Sequence, residues 1–136
     1  MQGPQEWVGR ADRARKLACV LLGAFSIAKV ILWVSPYPAV SPPLDFVEMA
    51  LPAAGWISLW AALGLVCFMG IGSQVAWKIG VSGTGTLLAV WGLSYAIGAV
   101  SDPQLASPAL MHFILSGLCF VMGSFSSLLP SNMSKS

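Results

Sequence analysis

Four long apolar stretches, separated by gaps that contain proline, constrain this chain more than any other feature. They cover about residues 17–34, 51–71, 80–100 and 108–129. Each is long enough to cross a hydrocarbon layer of roughly 30 Å as a helix, which takes roughly 20 residues. Only 9% of the residues are charged, whereas soluble domains are about 25% charged. Since the alternating polarity of barrel strands is absent, the sequence predicts an all-α integral membrane four-helix bundle.

The prolines predict where the helices end, because proline lacks a backbone N–H and breaks helices. We predict a basic cytoplasmic segment over residues 1–16, a four-helix transmembrane domain over 17–129 and a short cytoplasmic tail over 130–136. The short third gap predicts a tight antiparallel hairpin of the last two helices. The apolar core of the first stretch is longer than the usual 7–15 residues of a signal peptide, which favours an uncleaved anchor.

The basic residues predict the orientation, because Lys and Arg concentrate on the cytoplasmic side of a membrane. The two loops predicted on the opposite side hold Asp45, Glu48 and Asp102 and no basic residue. We therefore predict that both termini are cytoplasmic. The topology determinants in this prediction are Arg10, Arg13, Arg15, Lys16 and Lys78, with Lys135 in the tail.

A single charge, Lys29, lies within a predicted span, and an intramembrane charge is by default a functional hypothesis. One interpretation is structural: the ammonium reaches the outer headgroups, over Trp33, or pairs with an acidic residue of the outer loops, Asp45, Glu48 or Asp102. Lys29 is roughly 7.5 Å from Val34 at 1.5 Å per residue. The other interpretation is a pore or intramembrane polar site formed by Lys29 and Ser26, which share a helix face.

Small residues on one face of the third stretch predict close helix packing. Their spacing of 3, 4 and 3 places Ala89, Gly92, Ala96 and Ala99 together. Small faces let helix backbones approach closely in lipid. The partner of this face is open: it is either the same chain or a second copy.

The sequence offers no candidate for catalysis, cofactor binding or metal binding, and we predict no enzyme. The glycine-rich run "WKIGVSGTGT" lacks the Gly-Lys-Ser/Thr of a phosphate loop and is predicted to be a flexible turn. His112 is predicted to be an interfacial polar residue near Asp102. Trp91 and Tyr95 lie deeper, and we expect their N–H and O–H groups to find partners within the bundle. A net charge of +2 argues against nucleic acid as a partner.

Three motifs carry a resemblance to a known group of proteins. They are "LPAAGWISLWAALGL" (51–65), "WKIGV" (77–81) and "LLAVWGLSYAIG" (87–98). Over about residues 50–100 the chain resembles the small four-span membrane proteins of actinobacterial phages, which are encoded in or near lysis or tail genes. The resemblance implies a phage protein in the host cytoplasmic membrane with a holin-like role in lysis. Small multidrug transporters are similar only in size, since Lys29 stands where they need an embedded glutamate.

Two functions from different classes follow. The first is a holin-like or lysis-associated protein that acts by self-association, as a homo-oligomer, in the lipid bilayer. The second is a non-enzymatic anchor, assembly or exclusion factor that binds another membrane protein through the loop "SPYPAVSPPLDFVEM" or the basic N-terminus. A transporter or channel subunit would need a polar path, and only Lys29 indicates one.

Overall fold

The computed structural model describes residues 3–34 and 50–125, and within them the chain is all-α. Four α-helices and one short 3₁₀ helix make up this part of the chain, and it contains no strand. The helices are α1 (Pro4–Val34), α2 (Ala53–Met69), α3 (Gln74–Gly98) and α4 (Ala106–Phe125), with the 3₁₀ helix at Pro103–Leu105. The helical fold class predicted from the four apolar stretches is therefore confirmed.

The predicted basic segment forms the first turns of α1 and continues without a break into the first apolar stretch. Asp12 explains how a charged segment stays helical, because its carboxylate accepts from Arg15 and from Lys16, each at 2.8 Å. Pairs spaced three and four residues apart stabilise a helix. Pro4 suits the start of a helix, because a backbone N–H in the first turn would have no partner within the helix.

The prediction of a flexible turn over "WKIGVSGTGT" is wrong, because these residues all belong to α3. The chain turns earlier, and Ser73 caps the new helix by accepting from the Ala76 N–H at 3.3 Å. A helix tolerates these glycines because they sit at close contacts. A Cβ added at Gly80 would lie 2.9 Å from Cys67 Sγ and 3.2 Å from the Cys67 backbone. The packing of α2 on α3 thus offsets the helix penalty of glycine.

α3 is the central helix of the bundle and contacts each of the other three, most extensively α4. More of its residues are buried than in any other described helix. Thr84 on its inner face has a partner there, with Oγ1 3.7 Å from Cys67 Sγ. The buried residues of α3 are Trp77, Gly80, Val81, Thr84, Gly85, Leu87, Leu88, Trp91, Gly92 and Ser94.

Two glycines set the contact between α3 and α4. A Cβ at Gly92 would meet Phe113 at 3.1 Å and His112 Cβ at 3.3 Å, and a Cβ at Gly85 would meet Cys119 Cβ at 3.1 Å. From Gly85 to Gly92 the chain advances by seven residues along α3, while the contacted residue on α4 moves back by seven, from Cys119 to His112. The helices α3 and α4 are therefore antiparallel. The other members of the predicted small face, Ala89, Ala96 and Ala99, are half-buried. The contact at Gly85 was not among the predicted packing positions.

Ser116→Ala is expected to destabilise the bundle by about 0.6 kcal/mol, and at most by ~1.7 kcal/mol, the range measured for interhelical hydrogen bonds in membrane proteins. Ser116 Oγ is buried and donates across the interface to the Gly85 carbonyl at 2.7 Å. Ser58→Ala is the matched control, because exposed Ser58 donates to Ala54 of its own helix at 2.8 Å. Thermal unfolding in detergent measures the difference. Equal melting temperatures for the two variants would contradict a stabilising role for the interhelical bond.

The outward faces of the helices are apolar. Two helices in the described residues are long and apolar enough to cross a membrane, Glu6–Val34 and Pro103–Phe125, and α2 is apolar but shorter. Only 17% of the apolar window of each long helix is buried within the bundle, whereas the core helix of a soluble protein would be mostly buried. The length, apolar composition and exposure of these two helices favour membrane association. Exposed residues on α1 and α4 include Leu17, Val20, Leu21, Ile31, Leu32, Val34, Leu110, Met111, Ile114, Leu118, Val121 and Phe125.

Candidate polar site around Lys29

The end of the bundle opposite the α2–α3 turn holds a contact between two basic side chains. Lys29 of α1 places its Nζ 3.5 Å from Nε2 of His112 on α4. The predicted partners of Lys29 were acidic. Of these, Asp102 instead accepts from the backbone N–H of Gln104 at 3.0 Å, while Asp45 and Glu48 lie outside the described residues. His112, predicted as an interfacial residue near Asp102, is thus half-buried beside Lys29.

The hydrogen bonds of His112 assign its tautomer. Nδ1 lies 2.8 Å from the carbonyl oxygen of Pro108. A carbonyl can only accept, so Nδ1 carries a hydrogen, and in the neutral ring Nε2 is an acceptor. With the ring neutral, the Lys29 ammonium donates to Nε2, and the pair then carries a single positive charge.

Aromatic rings surround the ammonium. Nζ lies 5.6 Å from the ring centre of Phe25 and 5.8 Å from that of Trp91, both within the range of a cation–π contact. Trp33, which the sequence placed one turn from Lys29, packs edge-on against Trp91 with ring centres 5.6 Å apart. Trp91 anchors this arrangement, since Trp56 and Tyr95 also pack against it, at 6.2 and 6.4 Å.

Three buried polar groups near this site have no hydrogen-bond partner among the described residues: Ser26 Oγ, Trp60 Nε1 and Trp91 Nε1. Ser26 and Trp60 are fully buried, and Trp91 is 3% exposed. The prediction that Trp91 finds a partner within the bundle is therefore wrong. We call the following residues the Lys29 cluster: Phe25, Ser26, Lys29, Trp60, Trp91 and His112.

Sequence reasoning identified two members of the Lys29 cluster and missed how the others join them. Ser26 lies one turn from Lys29 on α1, as the helical spacing predicted, and it faces Gly64 of α2. Trp60 belongs to the cluster through Phe25, since their ring centres lie 6.0 Å apart. The available signal for a pair was that the chain has one histidine and one lysine within a predicted span. That signal gave no information on the distance between them.

The predicted topology determinants gather at the other end of the bundle. Arg15 donates to the Gly70 carbonyl at 3.3 Å and so caps the C-terminus of α2. Lys78 is exposed in the first turns of α3, and Arg10, Arg13 and Lys16 are exposed on the first turns of α1. Among these arginines and lysines, the one nearest to Lys29 along α1 is Lys16, roughly 20 Å away at 1.5 Å per residue.

Other chemistry is sparse in the described part of the chain. No group of three or more His, Cys, Asp or Glu side chains there is arranged to hold a metal ion. The three cysteines are free and buried, one each on α1, α2 and α4. The Lys29 cluster is thus the most polar feature inside the described bundle.

No protein-family model matches this chain, and no curated protein or solved structure matches it. The resemblance to four-span phage proteins rests on the motifs in residues 51–98.

Proposed function

We propose that the chain is a four-span protein of the cytoplasmic membrane of a phage host, with both termini in the cytoplasm. Support for this topology comes from the basic residues. Arg15 and Lys78 lie at the end of the bundle that carries the α2–α3 turn, and basic residues favour the cytoplasmic side. Lys29 then lies toward the outer face. Helices α2 and α3 complete the four spans in this proposal, with α3 enclosed by the other three.

We further propose that the protein acts in a holin-like manner, by self-association in the membrane. The observation that carries this proposal is the apolar outward surface of α1 and α4, which presents large side chains such as Leu21, Ile31 and Phe125 to the surroundings. In a bilayer these faces contact lipid or a second copy. Since the core of the described bundle is filled by tryptophan and cysteine side chains, a lesion would form between copies and not through one copy.

Induced expression in a bacterial host is expected to collapse the membrane potential abruptly. Lys29→Leu is expected to abolish or retime the collapse, because it removes the single charge within the predicted spans. A potential-sensitive dye followed through induction measures both effects. A matched control is Ser58→Ala, which changes an exposed residue hydrogen-bonded within its own helix and should depolarise like the wild type.

A C-terminal green fluorescent protein fusion checks insertion in the same cells, since it fluoresces on the cytoplasmic side. A stable potential in cells that hold abundant, well-inserted and fluorescent protein would overturn the holin-like proposal. If Lys29→Leu depolarises the membrane at the same time as the wild type, self-association would remain the proposed mechanism and Lys29 would have no part in it.

A second candidate function is a non-enzymatic anchor, assembly factor or exclusion factor that binds another membrane protein. One observation favours it: two of the inward polar side chains have partners within the bundle, Lys29 in His112 and Ser116 in the Gly85 carbonyl. A protein of this kind would be tolerated at high expression. Photo-crosslinkers placed in residues 35–49 would then yield one reproducible membrane-protein adduct.

A further inference from the structure

We propose that the Lys29 cluster binds a small anion, a halide or one oxygen of an oxyanion, beside the Lys29 ammonium. This inference concerns the interior of a single copy. It is independent of whether the protein self-associates to form a lesion.

The charge of Lys29 favours a bound anion. Lys29 is half-buried in an apolar bundle, and an unpaired charge there is costly. Among the described residues no carboxylate lies within 4.0 Å of its ammonium, because both ion pairs of this part of the chain belong to Asp12 at the opposite end. The partner that Lys29 does have, His112, is neutral in the assigned tautomer and cancels none of the charge.

The balance of donors and acceptors also favours an anion. His112 Nε2 accepts from the ammonium, which has three hydrogens to donate. Among the described residues, the indole N–H groups of Trp60 and Trp91 and the hydroxyl of Ser26 are buried without a hydrogen-bond partner. A buried polar group without a partner costs free energy. Donors therefore outnumber acceptors in the Lys29 cluster, and an anion can only accept hydrogen bonds.

The charge of the site also selects the kind of ion. The ammonium lies over the rings of Phe25 and Trp91, and a cation–π contact of this kind leaves its positive charge in place. A second cation would be repelled by Lys29, and a small anion would be attracted by it. It has two sources: the aqueous phase, or the phosphate of an anionic phospholipid at the membrane surface that Lys29 approaches.

Iodide is the probe for this site, because it quenches tryptophan fluorescence on contact. The full-length protein carrying Trp7→Phe, which removes the exposed N-terminal fluorophore, is reconstituted in phosphatidylcholine vesicles with iodide on both sides. We expect a saturable component of quenching in this protein. Lys29→Met is expected to weaken iodide binding at least tenfold, whereas Lys29→Arg retains it.

Lys78→Met is the matched control, since it removes an exposed lysine at the opposite end of the bundle and should leave the saturable component unchanged. Linear, unsaturable quenching of the parent protein would overturn the proposal whether or not the variants fold. The proposal would also be overturned if saturable quenching were absent from the parent protein and present only in the double variant Asp45→Asn/Glu48→Gln. In that case a carboxylate of the same chain would neutralise Lys29.

The source of the anion is distinguished by two further arms. Displacement of iodide by chloride in phosphatidylcholine vesicles would support a dissolved anion as occupant. Loss of the saturable component in vesicles that contain phosphatidylglycerol would support a lipid phosphate. Both results support binding at the Lys29 cluster.

Discussion

Gly80→Leu is expected to separate α2 from α3 and to destabilise the folded bundle by about 3 kcal/mol, at the upper end of the usual cost of overpacking. The reason is that a side chain at this position meets backbone. Its Cβ alone would lie 3.2 Å from Cα and N of Cys67, and 2.9 Å from the Cys67 sulfur. A rotamer change cannot move backbone atoms, so the helices themselves have to move apart. Thermal unfolding of detergent-purified protein, followed by tryptophan fluorescence, measures the loss.

Gly117→Leu is the control for this prediction. Gly117 also lies within a helix, on α4, and a Cβ there would meet nothing within 4 Å. Both substitutions replace a helical glycine by a strong helix former, so only the contact with Cys67 distinguishes them. A Gly80→Leu protein as stable as Gly117→Leu would show that α2 and α3 do not approach as closely as described.

Trp60→Ala is the substitution with the second large expected effect, a destabilisation of about 3–5 kcal/mol, as for other large aromatic residues truncated in a core. Trp60 is fully buried and packs edge-on against Phe25 of α1, with ring centres 6.0 Å apart. Its removal is expected to leave a cavity between α1 and α2 within the Lys29 cluster. Chemical or thermal unfolding in detergent, followed by circular dichroism, gives the difference in free energy.

Two variants test the cause of that effect. Trp7→Ala removes an indole that is 61% exposed and is expected to leave stability almost unchanged. Trp60→Phe retains an aromatic ring and removes the indole N–H that has no partner among the described residues, so it should cost much less than Trp60→Ala. If Trp60→Phe and Trp60→Ala were equally destabilising, ring packing would not be the source of the stability.

The helical elements were largely predictable because the apolar runs and prolines act locally. The predicted first stretch ends at residue 34, as α1 does. The predicted third stretch ends at residue 100, two residues beyond the end of α3. The start of α3 was not predicted. Glycine, serine and threonine lower helix propensity in isolation, and the tertiary contacts of this run, such as that of Gly80 with Cys67, cannot be read from local sequence.

For the Lys29 cluster, the sequence by itself determined that a lysine and a serine share one face of an apolar helix, because helical periodicity depends only on spacing. It also determined the helical class, since 57% hydrophobic and 9% charged residues leave few alternatives. Only the tertiary structure decided that Lys29 meets His112, which is 83 residues away in sequence, and that its ammonium lies over Phe25 and Trp91. The physical reason is that interhelical contacts depend on how the antiparallel helices are registered, and close approaches at Gly64, Gly80, Gly85 and Gly92 set that register.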